Sequence, residues 1–376
     1  MPRILIVTGE ASGDLHGGNL ATALRLLRPD VQILGAGGPK MKAAGVELIP
    51  GIERLDVVGM VGWKQLRAAW RNYVILKRLL NQSRFDAVVF IDHPGLNLHL
   101  ATMAKRAGQR VVYYIAPQIW AWRPGRIRRI KRAVDRMLVI LPFEATLYRQ
   151  AGVPCEFVGH PLLDAVASSY DRAELRKRFE LDPDALVIGL LPGSRASEVR
   201  DLFPLMLGAA ERLSSLHAGA QFVVAQASSI KEGLLDALSA GCGTKIRVFR
   251  DQASEVIAAS DLLLVASGTA TLQGAVIGTP MVITYRTSWM SYWLARLLIR
   301  VNWIGLVNIV AGRGIVTELI QHEATAERLS EAAHRLLSDE AALSGMRAAF
   351  RAVRDSLGSP GASRRAAEAV LKECRA

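Results

Sequence analysis

The chain has 376 residues, 51% of them hydrophobic, a length and apolar content that fit two folded domains and exclude a disordered chain. Its formal net charge of +13 points to an anionic partner, whether nucleic acid, an anionic membrane surface or a phosphorylated substrate. The three cysteines, Cys155, Cys242 and Cys374, stand far apart with no CxxC pairing, which indicates neither a disulfide framework nor a zinc site.

The N-terminus, Met-Pro-Arg and then Ile-Leu-Ile-Val, is too short for the apolar core of a signal sequence. No uncharged apolar run reaches spanning length, so a cytoplasmic protein able to lie on a membrane is expected. Arg3 to Thr8 reads as a parallel-type strand, Gly9-Glu10-Ala11-Ser12-Gly13-Asp14 as a turn, and His16 to Leu27 as a helix. This start is Rossmann-like but lacks GxGxxG, so no dinucleotide fingerprint is read from it. The turn puts Glu10 at the carboxyl end of a strand, where open α/β sheets hold ligands. Helix capping is the expectation for Asp14.

Val31 to Leu34 is a second strand. Trp63 to Leu80 mixes Trp63, Trp70 and aliphatics with Lys64, Arg67, Arg71, Lys77 and Arg78 at helical spacing. That pattern suits a membrane interface, and equally a core helix with a solvated basic side. Asp86 to Ile91 is a strand that delivers Asp92 to the start of a helix, where an Asp caps or acts as a general base. Val111 to Ile115 is followed by Trp120, Trp122 and Arg123. The run Arg123, Arg126, Arg128, Arg129, Lys131 and Arg132 is interrupted by Ile127, Ile130 and Val134, the spacing of a folded helix with a cationic face. No helix-turn-helix, finger or RNA-binding signature accompanies it, so no nucleic-acid partner is expected.

Met137 to Leu141 is another strand. His160, near the domain boundary, reads as a packing residue. A second βα series opens with Ala185 to Leu191, followed by the turn Pro192-Gly193-Ser194-Arg195; the guanidinium of Arg195 suits phosphate oxygens. Phe222 to Ala225 and Ile246 to Phe249 continue the series. Asp261 to Val265 then leads through Ser267-Gly268-Thr269-Ala270-Thr271 into a helix over 272–277. Small side chains let a ligand approach the backbone, and the helix start favours a phosphate. The alternative is an ordinary turn with a Thr cap. Pro280 to Tyr285 is a further strand. The apolar stretch 288–310 is too charged to span a membrane comfortably and reads as an interfacial or buried surface. Asp182-Pro183-Asp184 has the form of a DxD metal pattern but reads as a turn beside its proline, and no metal site is expected.

Taken together, Gly9 to Asp14, Ile91-Asp-His-Pro-Gly-Leu-Asn97, Gln118 to Arg123, Leu141 to Glu144, Val158-Gly-His160, Leu191 to Arg195, Ala266 to Thr271 and Ala311-Gly-Arg313 resemble, in this order, the lipid-A-disaccharide synthase family. The resemblance spans essentially the whole chain. It implies an α/β fold of GT-B type, two Rossmann-like parallel-sheet domains facing across a cleft, with the C-terminal helix crossing back to the first. Residues 1–165 are then the acceptor- and membrane-binding domain, 166–350 the UDP-sugar-binding domain, and 351–376 the returning helix.

The resemblance further implies transfer of 2,3-diacylglucosamine from its UDP donor to the 6-hydroxyl of 2,3-diacylglucosamine 1-phosphate. The product is a β(1→6) disaccharide, formed with inversion, and UDP is released. No cofactor or metal is implied. Asp92 matches the family's catalytic Asp, and Glu10 is the second candidate. The nucleotide and its diphosphate fall to Gly193, Ser194, Arg195, Ser267, Gly268, Thr269, Ala270, Thr271, Gln273, Asn308 and Arg313. The acceptor and an anionic membrane surface fall to Trp63, Trp70, Trp120, Trp122 and Arg123, with the enzyme peripheral on the cytoplasmic face of the inner membrane. A homodimer is left open.

Three positions depart from the family pattern: Gly95 replaces a carboxylate, Val307 a proline, and Gln273 the Glu that accepts ribose hydroxyls. Gln keeps the hydrogen bonding and loses the charge. The competing readings are a UDP-N-acetylglucosamine 2-epimerase or another UDP-sugar transferase on the same fold, and a non-catalytic membrane-binding homologue.

Overall fold

The computed structural model describes residues 1–9, 11–52, 63–121, 124–288, 292 and 301–375. The chain divides into two units, one of residues 1–164 with 357–376 and the other of residues 165–356.

Among the described residues the first unit holds seven strands: β1 (Arg3–Thr8), β2 (Gln32–Ala36), β3 (Glu47–Leu48), β4 (Ala87–Ile91), β5 (Val111–Tyr114), β6 (Arg136–Val139) and β7 (Cys155–Phe157). They form one parallel sheet in the order β3-β2-β1-β4-β5-β6-β7. Ile4 and Ile6 join one buried cluster while Leu5 and Val7 join the other, so β1 is covered on both faces. Burial on both faces is why its sequence is a continuous apolar run rather than an alternating one. The C-terminal helix, Ala362–Arg375, belongs to this unit and packs on the helix Ala11–Leu27. Ala366, Ala367 and Val370 are buried there, and Glu373 pairs with Arg136 at 2.9 Å. The return to this unit starts at Leu357, six residues later than the expected 351, because residues 351–356 complete the helix Glu340–Ser356 of the second unit.

The second unit holds β8 (Val187–Leu191), β9 (Gln221–Gln226), β10 (Ile246–Arg250), β11 (Leu262–Ala266), β12 (Met281–Tyr285) and β13 (Glu318–Ile320), parallel in the order β10-β9-β8-β11-β12-β13. Its sheet is anchored at the amino end by Asp261. That carboxylate accepts from Val187 N at 2.8 Å and from the guanidinium of the buried Arg176 at 2.6 Å. Arg176 also donates to the carbonyls of Pro183, Ala185 and Ala259. The Asp182–Asp184 pair is a turn, with Asp182 Oδ1 accepting from Asp184 N at 2.9 Å.

The short strands β3, β7 and β13 lie beyond sequence patterning, since two or three residues carry no periodicity. The first helix begins at Ala11, five residues before the expected start, because its first turn is small and polar and carries no apolar signal. Asp14 caps, but not its own helix. It lies buried inside Ala11–Leu27 and accepts from Gly38 N at 2.7 Å, Lys40 N at 3.0 Å and Met41 N at 3.1 Å. Those are the orphan donors at the start of the neighbouring helix Pro39–Ala43. Asp14→Ala leaves these three N–H groups without their acceptor and should lower the unfolding free energy by about 3–5 kcal/mol, read from the urea midpoint. Asp14→Asn, which keeps one acceptor oxygen, should cost less.

Candidate active site

Both sheets reverse their winding once, between β1 and β4 in the first unit and between β8 and β11 in the second. Neighbouring loops at such a point leave in opposite directions and open a crevice at the strands' carboxyl ends.

In the second unit the crevice is a cavity of about 520 Å³. Leu191 pairs with Val265, so the turn after β8 and the turn after β11 lie side by side. Gly193, Ser194, Arg195, Ser267, Gly268, Thr269, Ala270 and Gln273 all line it. Three helices begin at its wall, Ala196–Leu216, Ala253–Ala259 and Thr269–Ile277. Gly193 is required where it stands: its φ is +114°, and a β-carbon there would meet Glu198 Oε2 at 2.7 Å.

The side chains around the cavity carry more carboxylate than cation. Arg195 pairs with Glu198 at 2.8 Å, while Asp251 and Glu255 also line the wall. Attraction for an anion therefore comes chiefly from backbone N–H groups and helix dipoles, and the carboxylates suit hydroxyl donors. Gln273 Nε2 donates to Ser254 Oγ at 2.7 Å, which fixes the amide against the wall of the cavity. Sequence reasoning missed Ser254, Glu255, Gln226 and Asp251. Gln226 ends β9 and the other three follow β10, without a glycine or a distinctive spacing, and only the sheet order brings them here.

Three residues expected at the nucleotide lie away from the cavity's lining. Asn308 is fully buried and its amide is saturated: Nδ2 donates to Val316 O and Glu318 Oε1, and Oδ1 accepts from Ile315 N and Val316 N. These bonds brace the loop between residues 308 and 318. Thr271 is buried and turns its hydroxyl back to Gly268 O at 2.8 Å. The helix Thr269–Ile277 starts at the Thr269 position, three residues before the expected 272, with Gly268 as its N-cap and no Thr cap. Arg313 is exposed and does not line the cavity. Ser267 does line it, yet its hydroxyl donates to Ile304 O, and the adjoining N–H groups of Ile304 and Gly305 donate to Glu318. Glu318 thus ties the 304–308 loop to the turn after β11.

In the first unit Thr8 pairs with Ile91, which puts Gly9 beside Asp92 and His93. Asp92 and His93 both have positive φ, 48° and 46°, a sparsely populated conformation for residues with side chains. Two donors hold them so: Asn97 Nδ2 reaches Ile91 O at 3.0 Å and Asp92 O at 2.9 Å, and Tyr113 Oη reaches Asp92 O at 2.6 Å. A β-carbon on Gly9 would come within 2.6 Å of the His93 ring. The helix Pro94–Arg106 is N-capped by His93, whose side chain makes no capping hydrogen bond. The strained turn thus aims the half-buried Asp92 from the ligand-binding edge of the sheet.

Nearby, Glu144 is buried, and burial pushes its carboxyl up to about 7. Hydrogen bonds from the Trp120 indole (3.0 Å) and Leu141 N (3.3 Å) oppose the rise, and the charge of Asp92 adds to it. Trp120, expected at the acceptor or membrane surface, is held by this bond and by an edge-on contact with Phe143. His160 is buried and held neutral, its pKa pushed down to about 4 by burial, with Nδ1 accepting from Leu162 N. That is a packing role. Trp70 is 69% exposed on the helix Trp63–Gln82, while Leu76 and Leu80 of the same helix are buried. Glu10, Trp122, Arg123 and the Trp63 side chain lie outside the described residues, as does most of the 288–300 stretch. Among the described residues no three His, Cys, Asp or Glu side chains gather into a metal-binding set.

Solved structures with this architecture include a UDP-N-acetylglucosamine 2-epimerase from Neisseria meningitidis bound to UDP-GlcNAc (TM-score 0.65, 12% identity, 98% of this chain and 100% of that one). The glycotransferase of kitacinnamycin is similar as well (TM-score 0.61, 19% identity, 99% of each chain). These likenesses show the fold, that of GT-B glycosyltransferases and the 2-epimerases. The lipid-A-disaccharide synthase of Geobacter metallireducens is 45% identical over 98% of this chain and 97% of its own length. That of Nitrosococcus oceani is 42% identical over 98% and 96%. The family model for lipid-A-disaccharide synthetase matches residues 4–372, and the chain belongs to that family of glycosyltransferases.

Proposed function

We propose that the chain transfers 2,3-diacylglucosamine from UDP to the 6-hydroxyl of 2,3-diacylglucosamine 1-phosphate, forming a β(1→6) disaccharide. The observation that carries this reading is the second unit's cavity, where the helices that follow β8 and β11 begin on either side of the sheet's switch point. It offers a diphosphate backbone N–H donors that need no reorganisation as charge builds on the leaving group. Arg195 adds a guanidinium, and Gln273 a neutral partner for the ribose hydroxyls.

Asp92 is the base. It takes the proton of the acceptor's 6-hydroxyl as that oxygen attacks the anomeric carbon from the face opposite the diphosphate. The bond from the anomeric carbon to the diphosphate breaks as the new bond forms, and UDP leaves with the electron pair. Burial favours the protonated form of the neighbouring Glu144, which limits like-charge repulsion on Asp92. Trp70 serves as an interfacial anchor, since both acylated sugars lie in a membrane.

A mass-spectrometric assay supplied with both acylated sugars should yield the disaccharide and UDP together. Release of UDP from UDP-N-acetylglucosamine alone, with no new glycosidic bond, would establish the epimerase reading instead. Asp92→Ala should lose turnover by about 100-fold or more while UDP affinity stays within twofold of wild type. An active Asp92→Ala enzyme removes Asp92 from the role of base.

Glu144 generates a pH prediction. Its carboxyl titrates near 4.5 when unperturbed and at about 7 in the fold. Between these values the folded protein keeps a proton that the unfolded chain has released, so this group's contribution to stability falls as pH rises through that window. Glu144→Gln should therefore raise Tm relative to wild type more at about pH 8 than at about pH 5. An equal difference at both would show that Glu144 ionises normally.

A further inference from the structure

A second cavity, of about 670 Å³, lies wholly within the first unit. One wall is Tyr73 of the helix Trp63–Gln82, another the end of the helix Pro94–Arg106, and the third the helix Ile127–Ala133. Among the described residues five cations line it, Lys105, Arg106, Arg128, Arg129 and Arg132, and no carboxylate does.

Lys105 is neutralised by Asp135. The four arginines have no carboxylate partner among the described residues. Arg129 Nη1 instead stands 3.3 Å from Nε2 of His99. Arg128 and Arg132 stand four residues apart on one helix, where like charges repel. Such an arrangement costs stability unless an anion enters. Planar guanidinium forks converging on one space match phosphate oxygens, which accept two N–H bonds per fork.

The cavity also has an apolar side, with Tyr73 Oη against Met103 Sδ at 3.3 Å. Trp70, one helical turn before Tyr73, is exposed. A cationic pocket with an exposed indole one helical turn from its wall is the pattern of a lipid interface rather than of a soluble-phosphate site.

We propose that this pocket binds the phosphate headgroup of an anionic phospholipid, and so fixes which side of the first unit meets the membrane. The inference rests on the membrane-docking part of the proposed function. It is separate from the diphosphate site, which lies in the other unit.

The test is co-sedimentation of the full chain with phosphatidylcholine vesicles, with and without phosphatidylglycerol. Wild type should bind only the vesicles containing phosphatidylglycerol. Arg128→Ala/Arg132→Ala should weaken that binding by about tenfold or more. Arg28→Ala/Arg364→Ala removes the same charge from exposed sites on the same unit and should weaken it by less than threefold. Arg106→Gln, a single change at the pocket wall, should weaken it by an intermediate factor, with thermal melts confirming that each variant is folded.

If the two double variants lose binding equally, attraction is diffuse and the pocket proposal falls. If Arg128→Ala/Arg132→Ala binds like wild type, the pocket proposal falls while membrane docking stands. If wild type binds neither vesicle, the docking reading itself fails and takes the pocket with it. Displacement of wild type from vesicles by inorganic phosphate at low millimolar concentration would overturn the lipid assignment in favour of a soluble phosphate.

Discussion

Parallel pairing at two points, β1 with β4 and β8 with β11, is the constraint on which the rest depends. A parallel strand cannot turn straight back, so its chain must leave the carboxyl edge and return through a helix. Where two neighbouring strands send their chains to opposite faces, the edge between them stays open and backbone donors face it. Every side chain with a chemical part in the proposed transfer stands on one of these two edges. The strained Asp92–His93 turn and the Gly193 turn are local consequences, because each chain must change direction in one or two residues.

Much of the structure around the sites serves to hold those turns. Asn97 and Tyr113 hold the carbonyls behind Asp92, and Glu318 with Asn308 holds the loop that receives the Ser267 hydroxyl. These are buried polar groups with partners, which are costly to break and stiff when intact. Geometry at the site is therefore bought with hydrogen bonds several residues away. Asn308 is the clearest case: a residue in a ligand-like motif whose four hydrogen bonds go to the backbone of Ile315 and Val316 and to the Glu318 carboxylate.

The readable parts of the fold were those with long patterns. Buried strands such as Leu262–Ala266 are continuous apolar runs, and their small-residue turns mark where a ligand can come close to the backbone. The motif residues Gly193 to Arg195 and Ser267 to Ala270 do meet around one cavity. The unreadable parts were contacts between distant segments. Asp14 reads as a cap for its own helix, but its three bonds go to the start of the helix Pro39–Ala43, 24 to 27 residues on. Ser254, Glu255 and Asp251 reach the cavity only because β10 and β9 stack outward from β8.

Composition and order of motifs therefore settled the class of the molecule, two parallel-sheet units, and its family. Apolar periodicity and turn chemistry are local properties, and a chain carries them in any conformation. The tertiary structure alone decided which motif residues face a ligand and which are consumed in packing, because burial and hydrogen-bond saturation belong to the assembled fold. It likewise decided that Glu144 holds its proton near neutrality and that four arginines from two helices share one pocket. Neither property exists until the segments meet, since both depend on what water is excluded and which charges are brought close.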